Sequence, residues 1–155
     1  MTKHPVLLYA AVACLLATSC TPVPMPEVRE EVRQEPVDNV ENMTVNIIVG
    51  GKSFKADIED SETVRAFLAK LPLSLDMDEL NGNEKYCYGV SLPRDEKYCS
   101  SIAAGDLMLF GSNCIVLFYG PAGGYSYTRI GTLQSTDGLA AALGSGSVKV
   151  RFEKG

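Results

Sequence analysis

The stretch IAAGDLMLFGSNCIVLFY, residues 102–119, carries two apolar runs, 107–110 and 114–119, on either side of Gly111-Ser112-Asn113. Neither run alternates, and continuous apolar runs this short read as strands covered on both faces. Just upstream, residues 84–90 set Glu84, Tyr86, Tyr88 and Val90 against Lys85, Cys87 and Gly89, the period-2 pattern of a strand with two unlike faces. Downstream, Gly120-Pro121-Ala122-Gly123-Gly124 reads as a loop, 125–133 as a strand and 148–152 as the last strand. Further out, Val45, Ile47 and Val49 alternate against Thr44 and Asn46, and Phe54, Ala56 and Ile58 alternate against Lys55, Asp57 and Glu59. Gly50-Gly51 joins the two runs as a hairpin, because both central positions can take positive φ.

Helical periodicity is scarce. Val64, Phe67, Leu68 and Leu71 follow the i, i+3, i+4, i+7 spacing, with Asp60 or Ser61 to cap them and Pro72 to stop them. Residues 136–143 predict a second short helix ending at Gly144. After an extended piece at Leu73 and Leu75, Asp76-Met77-Asp78-Glu79 has the spacing of a capping box, so one further turn of helix is expected before Gly82. The same acids lack the ligand spacing of a calcium loop, and capping is the preferred reading. Many short strands with two or three short helices make the fold mainly β, a closed or nearly closed barrel.

Composition excludes several chemistries. The 155 residues have a net charge of -5 and a single histidine, His4, in a segment expected to be removed. Without histidine, Ser-His-Asp and Cys-His nucleophiles and imidazole-ligated zinc are excluded. No metal or cofactor is expected. Nor is there the basic excess that supplies most nucleic-acid affinity.

The N-terminus reads as an address. After Lys3 an apolar run from Val6 to Ala17 forms the core of a signal peptide, too short to span a ~30 Å hydrocarbon layer. It closes on Leu16-Ala17-Thr18-Ser19-Cys20, which resembles the lipobox of bacterial lipoproteins, with Ala17 where leucine is usual. That resemblance implies cleavage after residue 19, a diacylglycerol on Cys20 and attachment of the protein to a membrane in the bacterial cell envelope, facing the periplasm or the exterior. Residues 20–42 then form a lipid-bearing cysteine and a tether with four prolines, six acids and two arginines, too poor in apolar groups to fold. Residues 43–155 make one domain with 11 Lys+Arg and 13 Asp+Glu, close to neutral. Of its cysteines, Cys87 and Cys99 form a candidate disulfide pair, export permitting, and Cys114 reads as a buried thiol.

The ordered series NGNEKY (81–86), IAAGDLMLFGSNCIVLFY (102–119), YSYTRIGTL (125–133), GLAAALGSG (138–146) and VKVRFE (148–153) resembles the bacterial cyclophilin-like fold family. The resemblance implies a closed eight-stranded barrel related to cyclophilins; similar modules also occur joined to flavodoxin-like domains. Cyclophilins isomerise prolyl bonds with an arginine beside a pocket lined by phenylalanine and methionine. If Ala104-Gly105-Asp106 matches their GGD, the phenylalanine, methionine and glutamine before it fall on Ser100, Ser101 and Ala103. The arginine position falls on Asp95, with Arg94 one residue out of register, and the pocket histidine falls near Tyr127.

What remains is a set of strand residues. Glu84, Tyr86 and Tyr88 share one strand face, as do Tyr125, Tyr127 and Arg129, and together they could line a groove for a peptide, protein or small ligand. The plainer alternative makes the tyrosines barrel wall and pairs Arg129 with Glu84. Asp106 is expected to fix a turn, and Gly123-Gly124 to form a mobile rim. The expected function is therefore a membrane-anchored binding module without isomerase activity. The competing readings are a divergent prolyl isomerase using Arg94 or Arg129, and an accessory to a flavin protein.

Overall fold

The computed structural model describes residues 43–155; the signal peptide expected at 1–19, the expected lipid site at Cys20 and the expected tether to residue 42 lie outside the described residues. Nine strands and two helices follow in the order β1 (Thr44–Val49), β2 (Lys52–Ile58), α1 (Glu62–Leu68), β3 (Leu73–Leu80), β4 (Glu84–Tyr88), β5 (Lys97–Cys99), β6 (Asp106–Phe110), β7 (Cys114–Phe118), β8 (Tyr125–Leu133), α2 (Leu139–Leu143) and β9 (Val148–Lys154). The sheet runs β2-β1-β9-β3-β4-β7-β6-β8, and β8 returns to pair with β2, closing eight antiparallel strands into a barrel. The ninth, β5, extends β8 outside the ring.

Local chemistry accounts for the elements. Gly50 and Gly51 take φ of 57° and 74° in the β1–β2 turn, and the residues alternating inward from those strands, Val45, Ile47, Phe54 and Ala56, are buried. Ser61 caps α1 by accepting from the Val64 amide at 3.1 Å, and the face carrying Val64, Phe67 and Leu68 joins the barrel core. There Phe67 meets Phe152 of β9 edge to face, with ring centroids 5.7 Å apart. The seam between β2 and β8 depends on Gly131, where a Cβ would lie 2.3 Å from the Asp57 carbonyl oxygen.

One predicted helix is absent. The expected turn of helix after Asp76 is the continuation of β3, paired with β9 at one edge and β4 at the other. The period-2 pattern prevails because Leu75 and Met77 enter the core while Asp76 and Asp78 stay in solvent. Glu79 still caps, but it caps the following turn, accepting from the Gly82 amide at 3.1 Å. The second helix is shorter than expected, beginning at Leu139 after Gly138, whose φ is 78°. The short strand β5 was not among the expected strands.

The barrel wall has a second apolar cluster on its outside. Ile102, Met108, Cys114, Val116, Phe118 and Tyr127 pack together on the outer face of β6, β7 and β8, separate from the interior. Residues 99–102 and 122–124 cover part of this patch through a bridge between Ile102 and Ala122 and a bond from the Gly124 amide to the Cys99 carbonyl, 2.8 Å. The remainder is open.

Candidate functional site

The open part of that outer face is a groove of about 340 Å³, at the small end of the size range of ligand sites. Register explains its lining. Glu84, Tyr86 and Tyr88 of β4 lie opposite Phe118, Val116 and Cys114 of β7, so alternate residues of the two strands point to the same outer side. Phe110 continues the surface from β6, paired with Cys114, and Tyr125 and Tyr127 bring it across from the start of β8. The floor is Glu84, Cys114, Val116 and Tyr127, all buried; the rim is Leu80, Tyr88, Phe110 and Tyr125, 41–64 % exposed.

Ring geometry fixes the walls. Tyr127 packs edge to face on Phe118 at 5.6 Å and tilted against Phe110 at 5.5 Å, while Tyr86 and Tyr88 meet edge to face at 5.9 Å. Rings held against rings lose little rotamer freedom when a ligand arrives, which makes them inexpensive contact surface.

The floor holds an electrostatic anomaly. Glu84 is only 7 % exposed, and its Oε2 is buried without a hydrogen-bond partner. Burial raises its carboxyl above the ordinary value, with a smaller push from the charge of Glu79. Tyr127 is pushed up to about 12, first by burial and then by the Glu84 charge, and burial lifts the Cys114 thiol to about 11. Both are therefore protonated at neutral pH. Cys114 is no nucleophile here.

Five of the six residues expected to line a groove do so: Glu84, Tyr86, Tyr88, Tyr125 and Tyr127. Arg129 is not among the lining residues. It sits where the β6–β8 register shifts, and pairs with Asp106 at 3.0 Å and Glu59 at 3.4 Å, not with Glu84. Asp106 also accepts from the Thr132 hydroxyl and, through Oδ2, from the Ala103 amide at 3.0 Å, fixing the turn as expected. Arg94 lies on a surface loop with Glu96 at 3.8 Å. Gly123-Gly124 does not line the groove; the Gly124 amide donates to the Cys99 carbonyl, and a Cβ on Gly123 would meet the Ser100 carbonyl oxygen at 2.4 Å. The Cys87–Cys99 bridge is not formed: both are free thiols, Cys87 packed against the interior cluster and Cys99 against the outer one. Among the described residues, no cluster of three His, Cys, Asp or Glu side chains is placed to hold a metal, and no helix is long and apolar enough to cross a membrane.

Leu80, Asn81, Phe110, Cys114 and Val116 line the groove without having been expected there. The apolar run 114–119 held the signal: a strand apolar on both faces needs two covers, and the outer cover of β7 is incomplete.

Comparison with known proteins agrees with this architecture. The model of the cyclophilin-like family matches residues 47–153. A hypothetical protein from Archaeoglobus fulgidus, determined in solution, superposes with a TM-score of 0.57 at 20 % identity, covering 73 % of this chain and 95 % of its own, and so shares the fold. No curated protein matches the chain.

Proposed function

The chain belongs to the cyclophilin-like family, and from that premise we propose that its barrel is a non-catalytic binding module, held in the bacterial cell envelope by a lipid on Cys20 and taking a peptide, protein or small ligand in the outer groove. The observation that carries this reading is the grouping of exposed apolar side chains. Of the five large ones among the described residues, Leu80, Tyr88, Phe110 and Tyr125 ring this depression and Tyr98 lies elsewhere. Contiguous apolar exposure of this kind marks interaction sites on soluble domains.

The same groove argues against prolyl isomerisation. Loss of imide conjugation must be met by a donor placed for the twisted state. The groove is lined by no arginine; Arg94 lies on a surface loop and Arg129 is committed to Asp106 and Glu59. A prolyl-isomerisation assay on the protein is expected to match the uncatalysed rate. Robust turnover that is lost in Arg94→Ala or Arg129→Ala overturns the non-catalytic reading. The anchor is tested separately: a radiolabelled fatty acid supplied to the expressing bacterium is incorporated into the protein and lost in Cys20→Ala.

A further inference from the structure

The groove offers one charged group and surrounds it with rings. A carboxylate oxygen taken from water without a partner costs more than an exposed one, and the cost is removed only by a donor, preferably a charged one. Among the described residues, no donor reaches Oε2 of Glu84 and no lysine, arginine or histidine lines the groove. An anion placed here meets a buried like charge. A neutral apolar ligand leaves the buried carboxylate uncompensated. Aromatic faces attract cations through their quadrupole and shed water from alkyl or aryl substituents.

Resting on the reading of the groove as a ligand site, we propose that its ligand is a protonated small amine, which donates an N–H to the carboxylate of Glu84 and packs an apolar substituent against Tyr86, Tyr127 and Phe110. The buried carboxylate specifies charge and donor together, while the rings specify a hydrophobic body. The volume of about 340 Å³ suits a free small molecule.

Three probes of one ring size separate these contributions by calorimetric titration of the protein near neutral pH: benzylammonium has charge and donor, benzyl alcohol a donor only, and benzyltrimethylammonium charge only. Benzylammonium is expected to bind at least about tenfold more tightly than either of the others. Glu84→Gln brings it down to the level of the alcohol and leaves the alcohol unchanged. Tyr88→Ala, at an exposed position that does not endanger folding, weakens all three. Equal or tighter binding of the alcohol, tight binding of benzoate, or an ammonium affinity unaffected by Glu84→Gln overturns the cation assignment while leaving the groove as a site. Absence of any saturable signal from all the probes up to roughly 10 mM removes the groove reading itself. Phenylalaninamide, which carries the same ring and ammonium next to a peptide-like carboxamide, is expected to bind more weakly than benzylammonium; tighter binding overturns the free amine in favour of a chain terminus.

Discussion

Glu84 and Lys85 are consecutive in β4, point to opposite sides of the barrel wall and are both buried, yet only one is satisfied. Lys85 donates to Glu79 at 2.5 Å and to the Gly146 carbonyl at 2.6 Å, and lies 5.7 Å from the centre of the Tyr119 ring. Tyr119 in turn donates to Glu79 at 2.7 Å. Oε2 of Glu84 has no partner.

The unpartnered Oε2 of Glu84 is therefore a cost to the free protein. Glu84→Leu is expected to raise the unfolding free energy by about 1 kcal/mol, the cost of an unsatisfied buried acceptor, while abolishing amine binding. A carboxyl whose native value is raised binds its proton first in the folded state. Stability then rises as pH falls through that native value toward the ordinary 4.5. Urea melts across mildly acidic pH should show this gain in the wild type and lose it in Glu84→Leu.

Removing the other member of the pair has the opposite sign. Lys85→Ala leaves Glu79, Gly146 and a void inside the barrel without their cation, and should cost about 3 kcal/mol in urea unfolding, as expected for one partner of a buried pair. The cost sits at the low end for such pairs, because the charge left behind, on Glu79, is partly exposed while Lys85 is wholly buried.

Glu79 and Tyr119 give this network its pH limits. Burial raises the Glu79 carboxyl, but bonds from Lys85, Tyr119 and the Gly82 amide outweigh it and hold the value below 4.5. Its stabilising share is present above the ordinary value and is lost as pH falls through the lowered one. Burial and the bond to Glu79 push Tyr119 to about 12, so stability falls as pH rises from 10, where the unfolded phenol ionises, towards 12. Phenolate absorbance should include a late step near pH 12, reduced by Tyr119→Phe and again by Tyr127→Phe.

Closure of the ring is tested at Gly131. A methyl there meets the Asp57 backbone carbonyl oxygen at 2.3 Å, an atom that cannot swing aside, so β2 and β8 must separate. Gly131→Ala should cost about 2 kcal/mol, in the range of overpacked sites. Hydrogen exchange should quicken first at the amides of residues 56–58 and 131–133, which form this seam.

The alternation of apolar and polar residues sufficed for most of the fold, because β1, β2 and β4 each have two unlike faces. It misread residues 76–79, where acids at helix-capping spacing also satisfy a strand whose Met77 points inward. It was blind to β5, three residues with no apolar period. The groove was half legible. Tyrosines on one strand face imply a shared surface, but Arg129 was assigned to it because Asp106 and Glu59, its actual partners, lie 23 and 70 residues away in the chain. Lys85 was unreadable for the same reason, its acceptor Gly146 being 61 residues distant.

Among the described residues, β5 is the one strand with an edge that pairs with nothing, since the other eight are closed on both sides. A foreign strand would find this free strand edge at Lys97–Cys99. That edge is three residues long, and it follows Asp95 and Glu96, with Lys97 itself 80 % exposed. Short, charged edges are poor templates for a foreign strand. A second copy of the barrel therefore finds little unpaired backbone at this edge with which to extend the sheet.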